Sequence, residues 1–323
     1  MTQAAEQSIL DTPVAGTPVA VVDIETTGLH PGADRLIEIS VVRVEPGAAP
    51  SVALDTLVNP GRKVAATEIH GITDADVSDA PSFDDIAGNV ARALSGAVVA
   101  GYNIYFDVRF LGDEFRRVKL RHTPPHICLM YLRPMLGLGK KCCLTDACRA
   151  HGIQHEEAHT AAFDAMAGAG LWHLYEDAMA KQGIQTFRDL TRLKRYKFLD
   201  SLGSPTLREW MIAFLSSTGH LKPRSILRTT SETQRRIARV QEYLDALMAA
   251  VADLELSDAE LSELSAKRAQ LALSPDELRA VHGRVFASML SEALADSTIT
   301  DVEWQRLRRL HACLQQLGWA PGM

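Results

Sequence analysis

Apolar and polar positions follow the pattern of β-strands over the first part of the chain. "VAVVDIE", from Val19, is an apolar run, "RLIEISVVRVE" partly alternates, and "LDTLVNPG" ends in turn residues. Runs and alternations of this length, bounded by turn residues, are typical of strands. Because antiparallel strands can be joined by short loops, the spacing predicts an antiparallel meander.

Helices and strands alternate after this meander. "SFDDIAGNVARALSG" predicts a helix capped by Ser82 with Asp85, "AVVAGYN" a buried strand, and "IYFDVRFLGDEFRRV" a helix that Asn103 caps. "HICLMYL" predicts a further strand, a short helix ends at Gly152, and a longer helix covers residues 160–181. Three strands followed by alternating helices and strands predict an α/β fold with a mixed five-stranded sheet.

Beyond residue 185 the strand pattern disappears and helix starts take its place. "SDAE" (257–260), "SPDE" (274–277) and "TDVE" (300–303) are capping boxes, in which a hydroxyl and a carboxylate satisfy the free N–H groups of a first helical turn. "ADLELSDAEL" is echoed by "ADSTITDVEW" at an offset of 43 residues. The C-terminal part is therefore predicted to be all-α, with a helical pseudo-repeat.

These patterns divide the chain into four segments. We expect a flexible tail (1–17), an α/β domain (18–182), a basic and mainly helical connector (183–240) and a smaller all-α domain (241–323). A length of 323 residues suits two domains.

Composition narrows the class of protein. No apolar run approaches the roughly 20 residues that cross a bilayer, and the N-terminus lacks the features of a signal peptide. We therefore expect a cytoplasmic protein with no membrane partner. The cysteines of "KCCLTDAC" have neither a second CxxC nor a metal-type histidine spacing, which favours reduced, buried thiols over disulfides or zinc.

Charge is distributed unevenly along the chain. The net charge is −6, yet residues 181–240 contain 13 Lys and Arg against 4 Asp and Glu. "RLKRYK" (192–197) and "KPRSILR" (222–228) place these charges beside aromatic or aliphatic residues. A solvated helix face and a polyphosphate-binding segment are both compatible with this pattern.

Acidic residues interrupt the first two buried strands. Asp23 and Glu25 are two apart, so a strand projects them from the same face. Unpaired buried charges cost several kcal/mol, so either a cation lies nearby or the acids reach solvent at the strand end. Asp107 follows the strand "AVVAGYN", close to its carboxyl end, where open α/β sheets place ligand sites; a solvent-facing helix acid is the alternative.

A histidine and an acid in "HTAAFD" complete the candidate set. His159 and Asp164 would differ by roughly 140° on one helix, so they converge only if His159 lies on the preceding loop. Together, Asp23, Glu25, Asp107 and Asp164 would repel one another unless cations occupied the centre. An all-carboxylate site suits two Mg²⁺ or Mn²⁺ ions, which can stabilise the attacking and leaving oxygens of a phosphoryl transfer. A histidine can then act as general base.

Three motifs in this order resemble the DEDDh 3′–5′ exonucleases, the family of the proofreading epsilon subunit of bacterial DNA polymerase III. They are "VVDIETTGL", "GYNIYFDVRFL" and "HTAAFDA", with "EIHGIT" (68–73) matching a family segment near the 3′-terminal nucleotide. The resemblance covers about residues 18–182. It implies a ribonuclease H-like fold and the release of nucleoside monophosphates from a 3′ end.

The resemblance also implies residue roles. Asp23 would bridge both metals, Glu25 and Asp164 would hold the nucleophile-side ion, Asp107 would complete the second site, and His159 would be the base. The substrate-binding residues would be Thr26, Thr27, Leu29, His70 and Asn103.

Two positions depart from the family pattern. Tyr102 stands where many relatives have His, and Cys128 stands where many have Asp. Neither is one of the five catalytic positions, so we expect activity to be retained and substrate handling to differ. The C-terminal echo resembles, more weakly, the tellurite-resistance TerB-like helical domain.

Single-stranded DNA is the substrate that we expect, with the basic segment holding the incoming strand, a setting such as DNA repair, and a protein partner on the helical domain. A 3′–5′ exoribonuclease is one alternative, because nothing in the sequence decides the sugar. A non-catalytic nucleic-acid-binding stress-response adaptor is the other.

Overall fold

The computed structural model describes residues 8–120, 122–155, 160–193, 196–204, 206–207, 231–251, 254, 256–293 and 299–322. The chain divides into two compact units. The first consists of Met1–Thr27, Arg35–Val64 and Ile72–Ile226, and the second of Gly28–Asp34, Ala65–Gly71 and Leu227–Met323. Each is described by itself.

A mixed five-stranded sheet forms the centre of the first unit. Its strands are β1 (Val19–Thr26), β2 (Leu36–Val44), β3 (Ser51–Leu57), β4 (Val98–Gly101) and β5 (His126–Cys128), in the order β3-β2-β1-β4-β5. The pairs β1–β2 and β2–β3 are antiparallel, whereas β1–β4 and β4–β5 are parallel. The predicted meander and mixed sheet are confirmed.

Helices in chain order follow the predicted alternation and add short segments. They are α1 (Thr67–His70), α2 (Asp74–Val77), α3 (Phe83–Leu94), α4 (Tyr105–Arg117), α5 (Leu129–Met135), α6 (Leu144–His151), α7 (Ala161–Lys181), α8 (Phe187–Leu190), α9 (Phe198–Ser201), α10 (Ser231–Ala250), α11 (Asp258–Gln270), α12 (Pro275–Ala293) and α13 (Asp301–Gln316).

Helix α7 packs closely against the sheet. A Cβ added at Gly168 would lie 2.9 Å from Cγ1 of Val21 on β1, which is closer than real Cβ contacts. Only the absence of a side chain at Gly168 therefore allows this approach. Val21 is two residues before Asp23, so α7 covers the sheet face on which Asp23 and Glu25 lie.

Two sequence expectations for this unit were wrong. "HICLMYL" is a strand only over His126–Cys128 and then continues as α5. A short, wholly buried apolar run carries no periodicity that separates strand from helix. Asn103 does not cap α4: the N-cap is Ile104, without a side-chain hydrogen bond, and Asn103 adopts a left-handed φ of 62°. Asparagine tolerates that conformation.

The segment 8–17 makes specific contacts, which differs from the flexible tail that we expected. Ile9 is buried in a 3-10 helix, and Val14 N–H donates to the carbonyl of Gln185 at 2.9 Å. The Arg188 guanidinium pairs with Asp11 at 2.6 Å. These bonds hold the segment against the chain around α8.

The second unit contains helices α10 to α13 and has its own apolar core. The three predicted capping boxes are present, with Glu260, Glu277 and Glu303 binding the backbone N–H groups of their cap residues. Two hydrogen bonds link polar groups inside this core. The Tyr243 hydroxyl is 3.0 Å from Nε2 of His282, and Nδ1 of His282 is 2.7 Å from the carbonyl of Trp319. The first two residues of both repeated segments, and all of "KPRSILR" with its surroundings (208–230), lie outside the described residues.

All five cysteines lie among the described residues, where no disulfide joins them, and four of the five are buried. In the described part of the chain, no helix combines the length and the apolar character that a bilayer crossing requires.

Candidate active site

Two carboxylates lie on the same face at the end of β1. Asp23 is paired across the antiparallel ladder with Ser40, and Glu25 with Glu38. Residues directly opposite in such a ladder share a face, so Asp23, Glu25 and Glu38 all project from one side of the sheet. The register shifts between Glu25 and Thr26, the last residue of β1. The sequence did not single out Glu38, although an acid inside the apolar run "LIEISVV" was a visible signal.

Asp107 reaches the same part of β1 from the first turn of α4. It is 4% exposed, and the backbone N–H of Ile24, between Asp23 and Glu25, donates to its carboxylate. Burial raises the pKa of the Asp107 carboxyl well above its ordinary value, against the lowering effect of the Ile24 and Asp107 N–H groups. A nearby cation would remove much of this desolvation cost.

The position of Asp164 follows from two anchors along α7. Gly168 lies over Val21, and the backbone N–H of Ala161 donates to Oε2 of Glu38 at 3.4 Å. Asp164 is one turn before Gly168 and therefore on the same side of the helix. It lies between the two anchors, towards the end of β1 that carries the acids.

A histidine that sequence reasoning missed contacts Asp164. Nε2 of His155 is hydrogen-bonded to Oδ1 of Asp164, and Nδ1 of His155 is 3.4 Å from the hydroxyl of Thr145. The sequence motif pointed only to His159, which lies outside the described residues. Both histidines belong to the polar segment "GIQHEEAH", and no local signal ranks one above the other.

The residues assigned to substrate binding fall in different environments. Thr26 and Thr27 are buried directly after Glu25, and Thr27 exchanges backbone and side-chain bonds with Arg35 that close the loop between them. Leu29 is half-buried against the core of the second unit. His70 is 2% exposed with Nε2 3.0 Å from the carbonyl of Ala65.

The two departures from the family pattern are both uncharged groups. The Tyr102 hydroxyl donates to the carbonyl of Cys142 at 2.7 Å, and burial raises its pKa well above the ordinary value. Burial also raises the pKa of the Cys128 thiol to about 11, so it is neutral at physiological pH. Neither side chain supplies the charge that His or Asp would provide.

The chemistry of the carboxylates fits hard divalent cations. Asp23, Glu25, Asp107 and Asp164 offer only oxygen donors, which Mg²⁺ and Mn²⁺ prefer. Among the residues that the structure describes, no three His, Cys, Asp or Glu side chains are already grouped as a metal site. The bond from His155 occupies one oxygen of Asp164 in this arrangement.

Comparison with known proteins shows which proteins this part of the chain resembles. The model of the exonuclease family RNase_T matches residues 20–171. These residues include β1 from Ala20 onwards, α4 and the first turn of α7, and therefore all the carboxylates of the candidate site. Residues 20–171 are thus similar to the exonuclease family.

Several curated proteins resemble the same part of the chain. The DNA polymerase III subunit epsilon-like protein of Rhodobacter capsulatus is 32% identical over 189 residues, covering 56% of this chain and 27% of that protein. The DNA polymerase III subunit epsilon of Buchnera aphidicola is 29% identical over 195 residues, covering 55% of this chain and 84% of the subunit. The chain thus spans about a quarter of the first relative and most of the second.

A solved structure of exonuclease X in complex with 5′ overhanging duplex DNA is also similar. It is 24% identical with a TM-score of 0.41, and the match covers 54% of this chain and 99% of that chain.

Proposed function

We propose that this chain is a metal-dependent 3′–5′ exonuclease that releases nucleoside monophosphates from the 3′ end of single-stranded DNA. The observation that carries the proposal is the bond from the Ile24 N–H to Asp107. It joins a buried acid from α4 to the strand segment that carries Asp23 and Glu25. The match of residues 20–171 to the exonuclease family supports the reaction class.

Asp23, Glu25, Asp107 and Asp164 would hold two Mg²⁺ or Mn²⁺ ions. When bound, such ions supply charge stabilisation at the attacking and leaving oxygens of an in-line displacement. His159 would take the proton of the attacking water as general base, which suits a group whose ordinary pKa lies near neutrality. The water oxygen would bond to the terminal phosphorus as the bond from phosphorus to the 3′-oxygen of the shortened strand breaks, and that oxygen would take a proton from solvent.

Thr26, Thr27, Leu29, His70 and Asn103 would bind the terminal nucleotide. Thr26 and Thr27 follow Glu25 directly, so a nucleotide against them would have its phosphate beside the acids. The basic segment 181–240 would hold the incoming strand through its phosphates, which gives little base specificity.

DNA is proposed over RNA because curated relatives are epsilon-type subunits of DNA polymerase III. The TerB-like character of residues 241–323, a protein partner on those helices and a cytoplasmic location stay predictions from the sequence.

A trimming assay tests the proposal. A 5′-labelled single-stranded DNA oligomer and its RNA counterpart are incubated with the full chain in Mn²⁺ or EDTA, and products are resolved by length. We expect stepwise 3′ shortening of DNA that EDTA abolishes. Faster trimming of RNA than of DNA would show that RNA, not DNA, is the substrate. Internal cuts would overturn the proposed reaction.

A matched pair of variants on α4 assigns the reaction to the site. Asp107→Asn should lower the trimming rate by about 100-fold or more, because it removes a buried anionic ligand at little cost in volume. Asp113→Asn changes an acid on the same helix that pairs with Arg116, and should leave the rate within about twofold, since such helix-surface pairs contribute little. Trimming by Asp107→Asn at the wild-type rate would contradict the assignment.

A further inference from the structure

Glu38 is an acid on the same sheet face as the candidate site and has no assigned role. It lies on β2, is 0% exposed, and is directly opposite Glu25. The next pair on this face joins Asp23 to Ser40. Like charges directly opposite destabilise a sheet, and a buried carboxylate costs several kcal/mol unless it is compensated. A favourable interaction elsewhere must therefore offset the free-energy cost of burying Glu38.

The N-terminus of α7 provides that compensation. The backbone N–H of Ala161, the first residue of α7, donates to Oε2 of Glu38 at 3.4 Å. The first N–H groups of a helix have no partner within the helix, and the helix dipole favours a negative charge there. In the described part of the chain, Thr160 makes no side-chain cap bond at this end. Glu38 therefore takes the place of a local cap, from a strand 123 residues away in the chain.

Two contacts then fix the position of α7 along β1. Gly168 meets Val21 at one end of the overlap, and Ala161 meets Glu38, opposite Glu25, at the other. Asp164 lies between these contacts. The Gly168 contact sets the distance of the helix from the sheet, whereas the Glu38 bond sets the depth and rotation of its first turn.

We propose that Glu38 is a positioning residue that fixes the first turn of α7 and thereby aims Asp164 at the site formed with Asp23 and Glu25. This inference rests on the proposed exonuclease function. It does not require Glu38 to touch substrate or metal. The carboxylate acts by accepting a backbone hydrogen bond, so its shape and acceptor oxygen matter more than its charge.

Three variants test this inference in the full chain. Glu38→Ala removes the acceptor, Glu38→Gln keeps an acceptor oxygen of the same reach, and Ser40→Ala is the control. Ser40 is buried on the same strand and face, but its hydroxyl donates to the carbonyl of Leu54 on β3 rather than to α7. Each is assayed for kcat, for KM on single-stranded DNA, and for the Mn²⁺ concentration that gives half-maximal trimming.

We expect Glu38→Ala to raise the half-maximal Mn²⁺ concentration and lower kcat by about tenfold or more each, the range typical of residues that orient a metal ligand. KM for DNA should change by less than about twofold, because no substrate contact is lost. Glu38→Gln and Ser40→Ala should stay within about threefold of wild type. In hydrogen exchange, Glu38→Ala should expose the amides of residues 161–164 while those of residues 171–179 keep their protection.

Other outcomes would overturn the proposed positioning role of Glu38. Unchanged Mn²⁺ dependence in Glu38→Ala would show that the bond does not position Asp164. Equal losses in Glu38→Gln and Glu38→Ala would show that the charge is required, as for a direct metal ligand. If the wild type does not trim, the proposed function fails, and unchanged protection of residues 161–164 in Glu38→Ala would separately refute the anchoring of α7.

Discussion

Nε2 of His155 is hydrogen-bonded to Oδ1 of Asp164, with the two side chains 4% and 13% exposed. Asp164 is the acid of the candidate set that α7, the helix covering this face of the sheet, carries. The contact means that a histidine already lies beside this acid, four residues before the histidine that the family motif designates.

The two histidines of this segment should therefore differ in function. His159→Ala should lower kcat by about 100-fold or more, the usual contribution of a general base. His155→Ala should lower it by about tenfold, because it removes only a group that orients Asp164. Single-turnover trimming of labelled DNA measures both. If His155→Ala costs as much as His159→Ala, or more, the base has been assigned to the wrong residue.

Gly168→Ala should destabilise the first unit. Alanine is normally favoured over glycine in a helix by about 1 kcal/mol, but the new methyl would lie 2.9 Å from Cγ1 of Val21, and overpacking costs about 1–3 kcal/mol. Gly112→Ala is the matched control, since a Cβ there has open space within 4 Å. Thermal denaturation should show a lower melting temperature for Gly168→Ala and an equal or higher one for Gly112→Ala. The same direction of change in both would refute this packing account.

The ion pair between Arg35 and Glu114 should stabilise the first unit. Nε and Nη2 of Arg35 donate to the two carboxylate oxygens of the buried Glu114 at 2.7 and 3.0 Å, and these bonds hold the pKa of Arg35 above its ordinary value. Glu114→Ala should lower the free energy of unfolding by about 3 kcal/mol, since it leaves a half-buried guanidinium without its partner. Arg149→Ala, which removes an exposed i,i+3 pair with Asp146, should cost less than about 1 kcal/mol. Urea denaturation measures the free energy of unfolding of both variants. Equal losses of stability would show that the buried pair stabilises the unit no more than the exposed pair does.

Acid should weaken the second unit through His282. Burial lowers the pKa of this histidine below its ordinary value of 6.5, so the folded state binds its proton less readily than the unfolded state does. The contribution of His282 to stability is therefore complete above its ordinary pKa of 6.5, the unfolded-state value. It is lost as the pH falls from there towards the lower folded-state pKa. Tyr243, whose pKa is raised to about 12, stays neutral throughout.

Calorimetry of the wild type and His282→Gln at about pH 7.5 and pH 5.5 measures this linkage. The melting temperature of the wild type should fall more on acidification than that of the variant. Burial also lowers the pKa of His126 in the first unit, so only the difference between the two proteins reports on His282. Identical pH dependence in both would rule out this contribution.

The sequence predicted those features of the fold that are local. The spacing of Asp23 and Glu25 placed both on one strand face, and the β1–β2 register agrees. Capping boxes located helix starts such as that of α13, because cap and acceptor are three residues apart. The contact of Glu38 with α7 could not be found in this way, since the two partners are 123 residues apart in the chain. The pairing of His155 with Asp164 depends on a loop conformation that polar composition does not encode.

The bond from Ile24 to Asp107 depends on where β4 ends. The last paired residues of the two parallel strands are Val21 and Ala100, so the parallel pairing ends before Asp23 and Glu25. The N–H of Ile24, which a longer β4 would have bound as one more rung of the ladder, is left for a carboxylate. Under the proposed function, the shortness of β4 is what makes this donor available: the sheet forgoes one interstrand bond, and the acid of α4 accepts from Ile24 instead.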